Sequence, residues 1–182
     1  MTHHDTLRRI TEAFDFAAKV HSGQTRKGHA AEPYVNHVAD VAARLARSPH
    51  ATETTVIAAI LHDTVEDTDH SIEEIAARFG AEVAAYVAEV TDDSTLDRAE
   101  QRRRQVEDAA HKSDGAKRIK LADKASNLTA LAESPPHFWD IGRKRDYLAW
   151  ARAVAEGLRG VDPVLERDFD EAAQRAEKAL GL

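Results

Sequence analysis

The 182-residue chain sets 25 Lys and Arg against 32 Asp and Glu, a formal charge of −7, with 42% hydrophobic and 31% charged residues. That balance fits a soluble globular protein with a real core and argues against a general nucleic-acid binder, which is normally basic. There is no cysteine, so disulfides, zinc–thiolate sites and cysteine nucleophiles are excluded.

No apolar run reaches membrane-spanning length, and Met1-Thr2-His3-His4-Asp5 lacks a signal-peptide pattern, so no membrane is expected and the expected compartment is the cytoplasm. No repeat, low-complexity tract or linker divides the chain, and one domain over 1–182 is expected. Alanine is abundant and β-branched runs are short, which favours helices.

Leu7, Ile10, Phe14, Ala17, Ala18 and His21 recur at helical spacing and predict an amphipathic helix over about 5–21. Residues 22–34 form an irregular loop with two glycines and a proline, and carry Arg26-Lys27, a pair that in isolation reads as solvated charge. Val38, Val41, Ala42 and Leu45 predict a second helix over about 35–47, with His37 in its first turn, a position that alone suits capping or packing.

A third helix is expected from an N-cap near Thr52–Thr55 into Ile57-Ala58-Ala59-Ile60-Leu61-His62-Asp63. Its C-terminal turn would carry His62, Asp63, Glu66 and Asp67. Helix C-termini favour cations, so acids crowded there are costly unless a metal ion or basic ligand offsets them. Taken alone, the acids also fit a solvated helix end.

Ser71 with Glu74 reads as a capping box opening a fourth helix that closes at Gly80, and a fifth is expected over 81–91. Residues 92–105, acids first and arginines after, read as a charged surface helix. Ser113-Asp114-Gly115 reads as a turn, and a long helix follows from Ala116. Asp123 lies beside the buried stripe of that helix, four residues before Asn127, and a carboxylate there needs a partner. Pro135-Pro136 ends it, another helix is expected over Trp139–Leu158, and Asp162-Pro163 opens the last, to about Leu180. The expected fold is an all-α bundle.

His37, His62, Asp63 and Asp123 together suit one divalent ion. Two imidazoles and two carboxylates fit Mn²⁺ or Fe²⁺, with Zn²⁺ also compatible. Such an ion acidifies the water it binds, Glu66 and Asp67 can move its proton, and the bases at 26, 27, 98 and 124 can neutralise phosphate. The chemistry is metal-assisted hydrolysis of a phosphoester or phosphoanhydride.

Arg26-Lys27, Pro33-Tyr34-Val35-Asn36-His37, Leu61-His62-Asp63-Thr64-Val65-Glu66-Asp67, Val90-Thr91-Asp92-Asp93 and Lys120-Leu121-Ala122-Asp123-Lys124 occur in this order. H…HD…D is the pattern of HD-domain phosphohydrolases. The longer words resemble the hydrolase domain of the RelA/SpoT family, from about Thr11 to Leu158 and beyond. The size resembles its stand-alone metazoan-SpoT-homologue type.

The resemblance implies an HD-domain helical bundle that hydrolyses the alarmone (p)ppGpp at its 3′ pyrophosphate with Mn²⁺. The partner would then be a small-molecule nucleotide, not nucleic acid, and the oligomeric state stays open. It implies metal roles for His37, His62, Asp63 and Asp123, and nucleophile activation by Glu66 and Asp67. It implies substrate contacts for Arg26, Lys27, Tyr34, Asn127, Arg143 and Tyr147, with Arg98 standing where a relative has a phosphate-contacting lysine and Lys124 adding charge. Val38, Ser126, Gly142 and the 28–32 stretch depart from the family pattern, and Ser126 and Gly142 border the expected nucleotide pocket. Alternatives are another nucleotide, NADPH as a 2′-phosphatase or (p)ppApp, and a nucleotide-binding module with a dead centre. A nucleic-acid binder leaning on Arg102-Arg103-Arg104 is disfavoured by the overall acidity.

Overall fold

The computed structural model describes residues 2–181. Met1 and Leu182, the ends of the expected domain, lie outside the described residues. In chain order the helices are α1 (His3–Val20), α2 (Val35–Leu45), α3 (Glu53–Leu61), α4 (Thr64–Asp67), α5 (Ile72–Phe79), α6 (Ala81–Val90), α7 (Arg98–Asp108), α8 (Asp114–Glu133), α9 (Ile141–Leu158) and α10 (Pro163–Ala179), with a 3-10 turn at Ala109–His111. Among the described residues the extended pairing is one isolated bridge, Thr25 to Pro33. No described helix is long and apolar enough to cross a membrane.

Helix starts follow local chemistry. Thr52 and Ser71 open α3 and α5 with reciprocal capping boxes, and Asp162 with Pro163 opens α10. Gly80, at φ 101°, turns the chain between α5 and α6 in a region that costs other residues strain. Two expectations need correction. Ser113-Asp114-Gly115 is not a turn but the start of α8: Ser113 is the N-cap and Gly115 lies inside the helix. Gly115 is there for close packing, since a Cβ would sit 2.3 Å from the Tyr86 ring.

The second correction concerns the His-Asp stretch. α3 stops at Leu61, and Asp63 is the N-cap of the separate short helix α4, with Glu66 and Asp67 in its first turn. Asp63 therefore stands at a helix start, and Glu66 and Asp67 close a single turn. At this joint His62, the C-cap of α3, bonds the Ala59 carbonyl through Nδ1 at 2.8 Å, which orients the ring.

α8 is the central rod. It packs on α2, α3, α6, α9 and α10, and Ile119, Leu121, Ala122, Ala125 and Leu128 on it are fully buried. Leu45, Ile57, Leu61, Leu158 and Phe169 close the core around it. Asp123 stands in the middle of this rod and is 6% exposed, so the core that stabilises the bundle also fixes a carboxylate.

Asp162 ties three elements together. It is fully buried, accepts from Val164 N at 3.0 Å and Leu165 N at 3.1 Å, takes the Ser48 hydroxyl, and lies 3.6 Å from Arg118 Nε. Asp162→Ala removes the cap and orphans buried donors, and is expected to lower unfolding stability by about 2–3 kcal/mol. Urea denaturation should show a lower midpoint at unchanged slope.

Candidate active site

α2, the α3–α4 joint and α8 meet at one point, and four donor atoms converge there. His37 Nε2 lies 3.4 Å from Asp63 Oδ2 and 3.4 Å from Asp123 Oδ1. His62 Nε2 lies 2.9 Å from Asp63 Oδ2 and 3.8 Å from Asp123 Oδ1. His37, His62 and Asp123 are buried and offer ligand atoms within 4.8 Å of one another. Around one octahedral cation with bonds near 2.1 Å, neighbouring ligand atoms stand roughly 3 Å apart. The observed separations fit that cage.

The protonation pattern also fits. The Ala59 carbonyl can only accept, so His62 Nδ1 carries a hydrogen, and Nε2 is left with a lone pair unless the ring is charged. His62 Nε2 is buried and closes no hydrogen bond, although Asp63 is near. Burial opposes charge on His62, but Asp63 and Asp123 outweigh it and push the pKa up to about 10. Burial likewise opposes charge on Asp63, yet His62 and His37 hold it well below the usual carboxylate range. Asp123 is held low despite burial, by Lys124 first and then by the two histidines. The site demands positive charge between its oxygens, which a divalent cation supplies without charging the imidazole.

Beside this cluster opens a cavity of about 610 Å³, lined both by acids, among them Asp63, Glu66, Asp67 and Asp123, and by bases, among them Arg26, Lys27, Arg98, Arg102, Lys120 and Lys124. Glu66 and Asp67 are exposed to it. Partial withdrawal from water raises both pKa values, and repulsion adds to this, from Asp92 and Asp63 on Glu66 and from Asp63 on Asp67. Lys120 opposes the rise at Glu66, and Tyr34 opposes it at Asp67. Carboxylates with raised pKa beside a metal cage are suited to take a proton near neutral pH.

Of the residues expected to contact substrate, Arg26, Lys27, Tyr34, Arg98, Lys124, Asn127 and Tyr147 line the cavity. Several are already engaged. Tyr34 Oη donates to Asp63 Oδ2 at 2.5 Å, so its hydroxyl serves the metal cage. Lys124 is 4% exposed and pairs with Asp123 at 3.1 Å, and Asn127 Nδ2 donates to Asp123 Oδ1 at 2.6 Å. Arg26 and Lys27 are presented by a loop whose ends are pinned by Arg26 N to Glu32 O and Tyr34 N to Gln24 O. Arg143 is not brought into the lining. It is exposed and lies over the Trp139 ring, 4.7 Å from its centroid.

Arg102, the first residue of the arginine triplet, lies on α7. It lines the cavity and rests on the rings of Trp150 (5.1 Å) and Tyr147 (5.7 Å). Tyr147 packs between Trp139 at 5.4 Å and Trp150 at 5.2 Å, and Lys124 Nζ lies 4.6 Å from the Trp150 ring. An aromatic wall thus carries cations toward the cavity. The signal for Arg102 was its spacing from Arg98, one helical turn on α7, which puts both on one face. Asp92, part of the Val90-Thr91-Asp92-Asp93 motif, also lines the cavity. It accepts from the Gln105 amide, and its backbone N–H donates to Glu66 Oε2 at 3.3 Å, which fixes that carboxylate.

Residues 13–146 match the profile of the HD domain. The chain is 45% identical over 174 residues to guanosine-3′,5′-bis(diphosphate) 3′-pyrophosphohydrolase MESH1 of Homo sapiens, covering 95% of each. It is 43% identical over 164 residues to the Drosophila melanogaster protein of the same name, covering 90% of this chain and 92% of that one. A solved structure of a metazoan ortholog of SpoT, described as hydrolysing ppGpp, superposes with a TM-score of 0.88 at 42% identity, over 91% of this chain and 94% of that one. Profile, sequence and architecture agree over most of the length: the chain belongs to the HD-domain family, within its RelA/SpoT group and alongside the MESH1 proteins.

Proposed function

We propose that the chain is a single HD-type domain that hydrolyses (p)ppGpp at its 3′ pyrophosphate, adding water across the 3′ ester to give GDP or GTP and pyrophosphate. The observation that carries this is the meeting of two imidazoles and two carboxylates with a raised-pKa acid pair, at a cavity whose lining also holds several arginines and lysines. Similarity to the MESH1 proteins supplies the substrate class.

His37, His62, Asp63 and Asp123 would hold one divalent ion, Mn²⁺ in this proposal. When bound, such an ion polarises a phosphoryl oxygen and lowers the pKa of water. Glu66 or Asp67 accepts the proton that the attacking water gives up. Tyr34 holds Asp63, and Asn127 and Lys124 hold Asp123, so neither carboxylate swings away during the reaction. Arg26, Lys27, Arg98 and Arg102 face the substrate's phosphates, where fixed cations favour the developing negative charge. The substrate is a free nucleotide, with no nucleic acid or membrane involved, and the cytoplasm is the compartment of this proposal.

The test is purified protein with Mn²⁺ against ppGpp, pppGpp, ppApp and NADPH, with products resolved by ion-exchange chromatography. Pyrophosphate release from the guanosine compounds at the highest kcat/KM is expected. Phosphate release from NADPH as the dominant reaction would transfer the site to another nucleotide. Asp63→Ala should abolish turnover and metal retention together, because it removes a charged donor shared by both imidazoles. Full activity in that variant with Mn²⁺ in excess would contradict the cage.

Glu66→Gln and Asp67→Asn should leave metal content intact while lowering kcat about 10²–10⁴-fold. They should also raise the melting temperature of the metal-free protein. The sign follows from linkage: a carboxylate with raised pKa binds its proton more tightly folded than unfolded, so above its folded pKa the charge costs stability. Neutral isosteres remove that cost.

A further inference from the structure

Ser126 is 1% exposed, and its hydroxyl stands where three elements meet. His37 Nδ1 lies 3.0 Å from Oγ, and Arg26 Nη1 lies 3.4 Å from it. A hydroxyl has one proton to give and two lone pairs to fill. Arg26 can only donate, which fills one lone pair. His37 Nε2 stands 3.4 Å from both Asp63 Oδ2 and Asp123 Oδ1, and an ion held between those oxygens would take its lone pair. The hydrogen of the neutral ring then sits on Nδ1, and the second lone pair of Ser126 is placed to accept it.

The same guanidinium reaches the other side of the cage. Arg26 Nη2 donates to Asn127 Oδ1 at 2.9 Å, and Asn127 Nδ2 donates to Asp123 Oδ1 at 2.6 Å. His37 on α2 and Asp123 on α8 are therefore braced through adjacent residues, Ser126 and Asn127, by one arginine from the α1–α2 loop.

We propose that Ser126 is a positioning residue of the metal centre, fixing the tautomer and ring orientation of His37, and that Arg26 joins this brace to the one Asn127 places on Asp123. This rests on the metal-centre reading. It gives Arg26 and Asn127 a role that exists before any nucleotide arrives. Partners of the distal nitrogen of a ligating histidine commonly govern metal affinity about 10–100-fold.

The experiment is calorimetric titration of metal-free protein with Mn²⁺, with no nucleotide present. Ser126→Ala should weaken binding about 10–100-fold, and Ser126→Thr, which keeps the hydroxyl, should bind within a few-fold of the unaltered chain. Arg26→Gln should also weaken binding; an Arg26 that serves substrate alone would leave it unchanged. Equal affinity in Ser126→Ala and the unaltered chain overturns the proposal, and so does equal weakening by Ala and Thr, which would mark packing and not the hydroxyl. A second measurement needs no variant. In the unaltered chain loaded with diamagnetic Zn²⁺, long-range ¹H–¹⁵N correlation should show His37 protonated at Nδ1, and protonation at Nε2 overturns the assignment. If the unaltered chain binds neither metal, the metal centre itself fails and this inference with it. If it binds and Ser126→Ala binds equally, only the inference fails.

Discussion

Two carboxylates and two imidazole lone pairs are forced together at the centre of this bundle, and they are tolerable only with positive charge between them. Asp123 is held by the buried rod α8, His37 by α2, and His62 by the joint after α3. None can retreat to solvent without dismantling the core that stabilises the fold. The apolar packing therefore does more than bury area: it holds like-charged oxygens at separations that water alone would not maintain. Everything around the cluster answers that constraint. Lys124 pairs with Asp123, Tyr34 donates to Asp63, and the Ala59 carbonyl fixes the proton on His62.

The acid pair sits one turn further along the same segment and is less well compensated. Glu66 and Asp67 lack an ion-pair partner of their own among the described residues, and each feels Asp63 as a repulsive neighbour. The contrast within five residues separates two chemistries. The histidines hold the Asp63 carboxyl below its usual range, while burial and repulsion raise those of Glu66 and Asp67, as the proposed division of roles requires. Strain of this kind at a cleft is characteristic of reaction sites and is offset by the surrounding fold.

Much of this was legible in the sequence because the signals were local. The N-cap hydroxyls near Thr52–Thr55, the capping box of Ser71 with Glu74 and the Asp162-Pro163 start marked helix starts through residues two or three apart. His62-Asp63 after an apolar run, with His37 and Asp123 elsewhere, pointed to the cage because those residue types suit few other shared roles. What was not legible depended on distant contacts. Gly115 signals a turn by composition, but its small size serves the Tyr86 ring, which arrives from α6. The break between α3 and α4 falls at His62-Asp63, inside a stretch whose apolar periodicity and lack of glycine or proline carry no stop signal. Arg102 rests on aromatic rings of α9, and Arg143 lies over Trp139, contacts between elements distant in sequence or set by the turn before α9.

The aromatic wall gives the molecule a built-in optical probe. The chain has two tryptophans, Trp139 and Trp150, and both line the cavity. Each ring lies under a cation, Arg143 on the first and Lys124 with Arg102 on the second. Indole emission is sensitive to nearby charge and hydration, so the tryptophan fluorescence of the chain originates at the site. Filling or emptying the cavity displaces water and shifts those cations, and the signal carries no background from tryptophan elsewhere. Entry and departure of a nucleotide can therefore be followed in real time on the unlabelled protein.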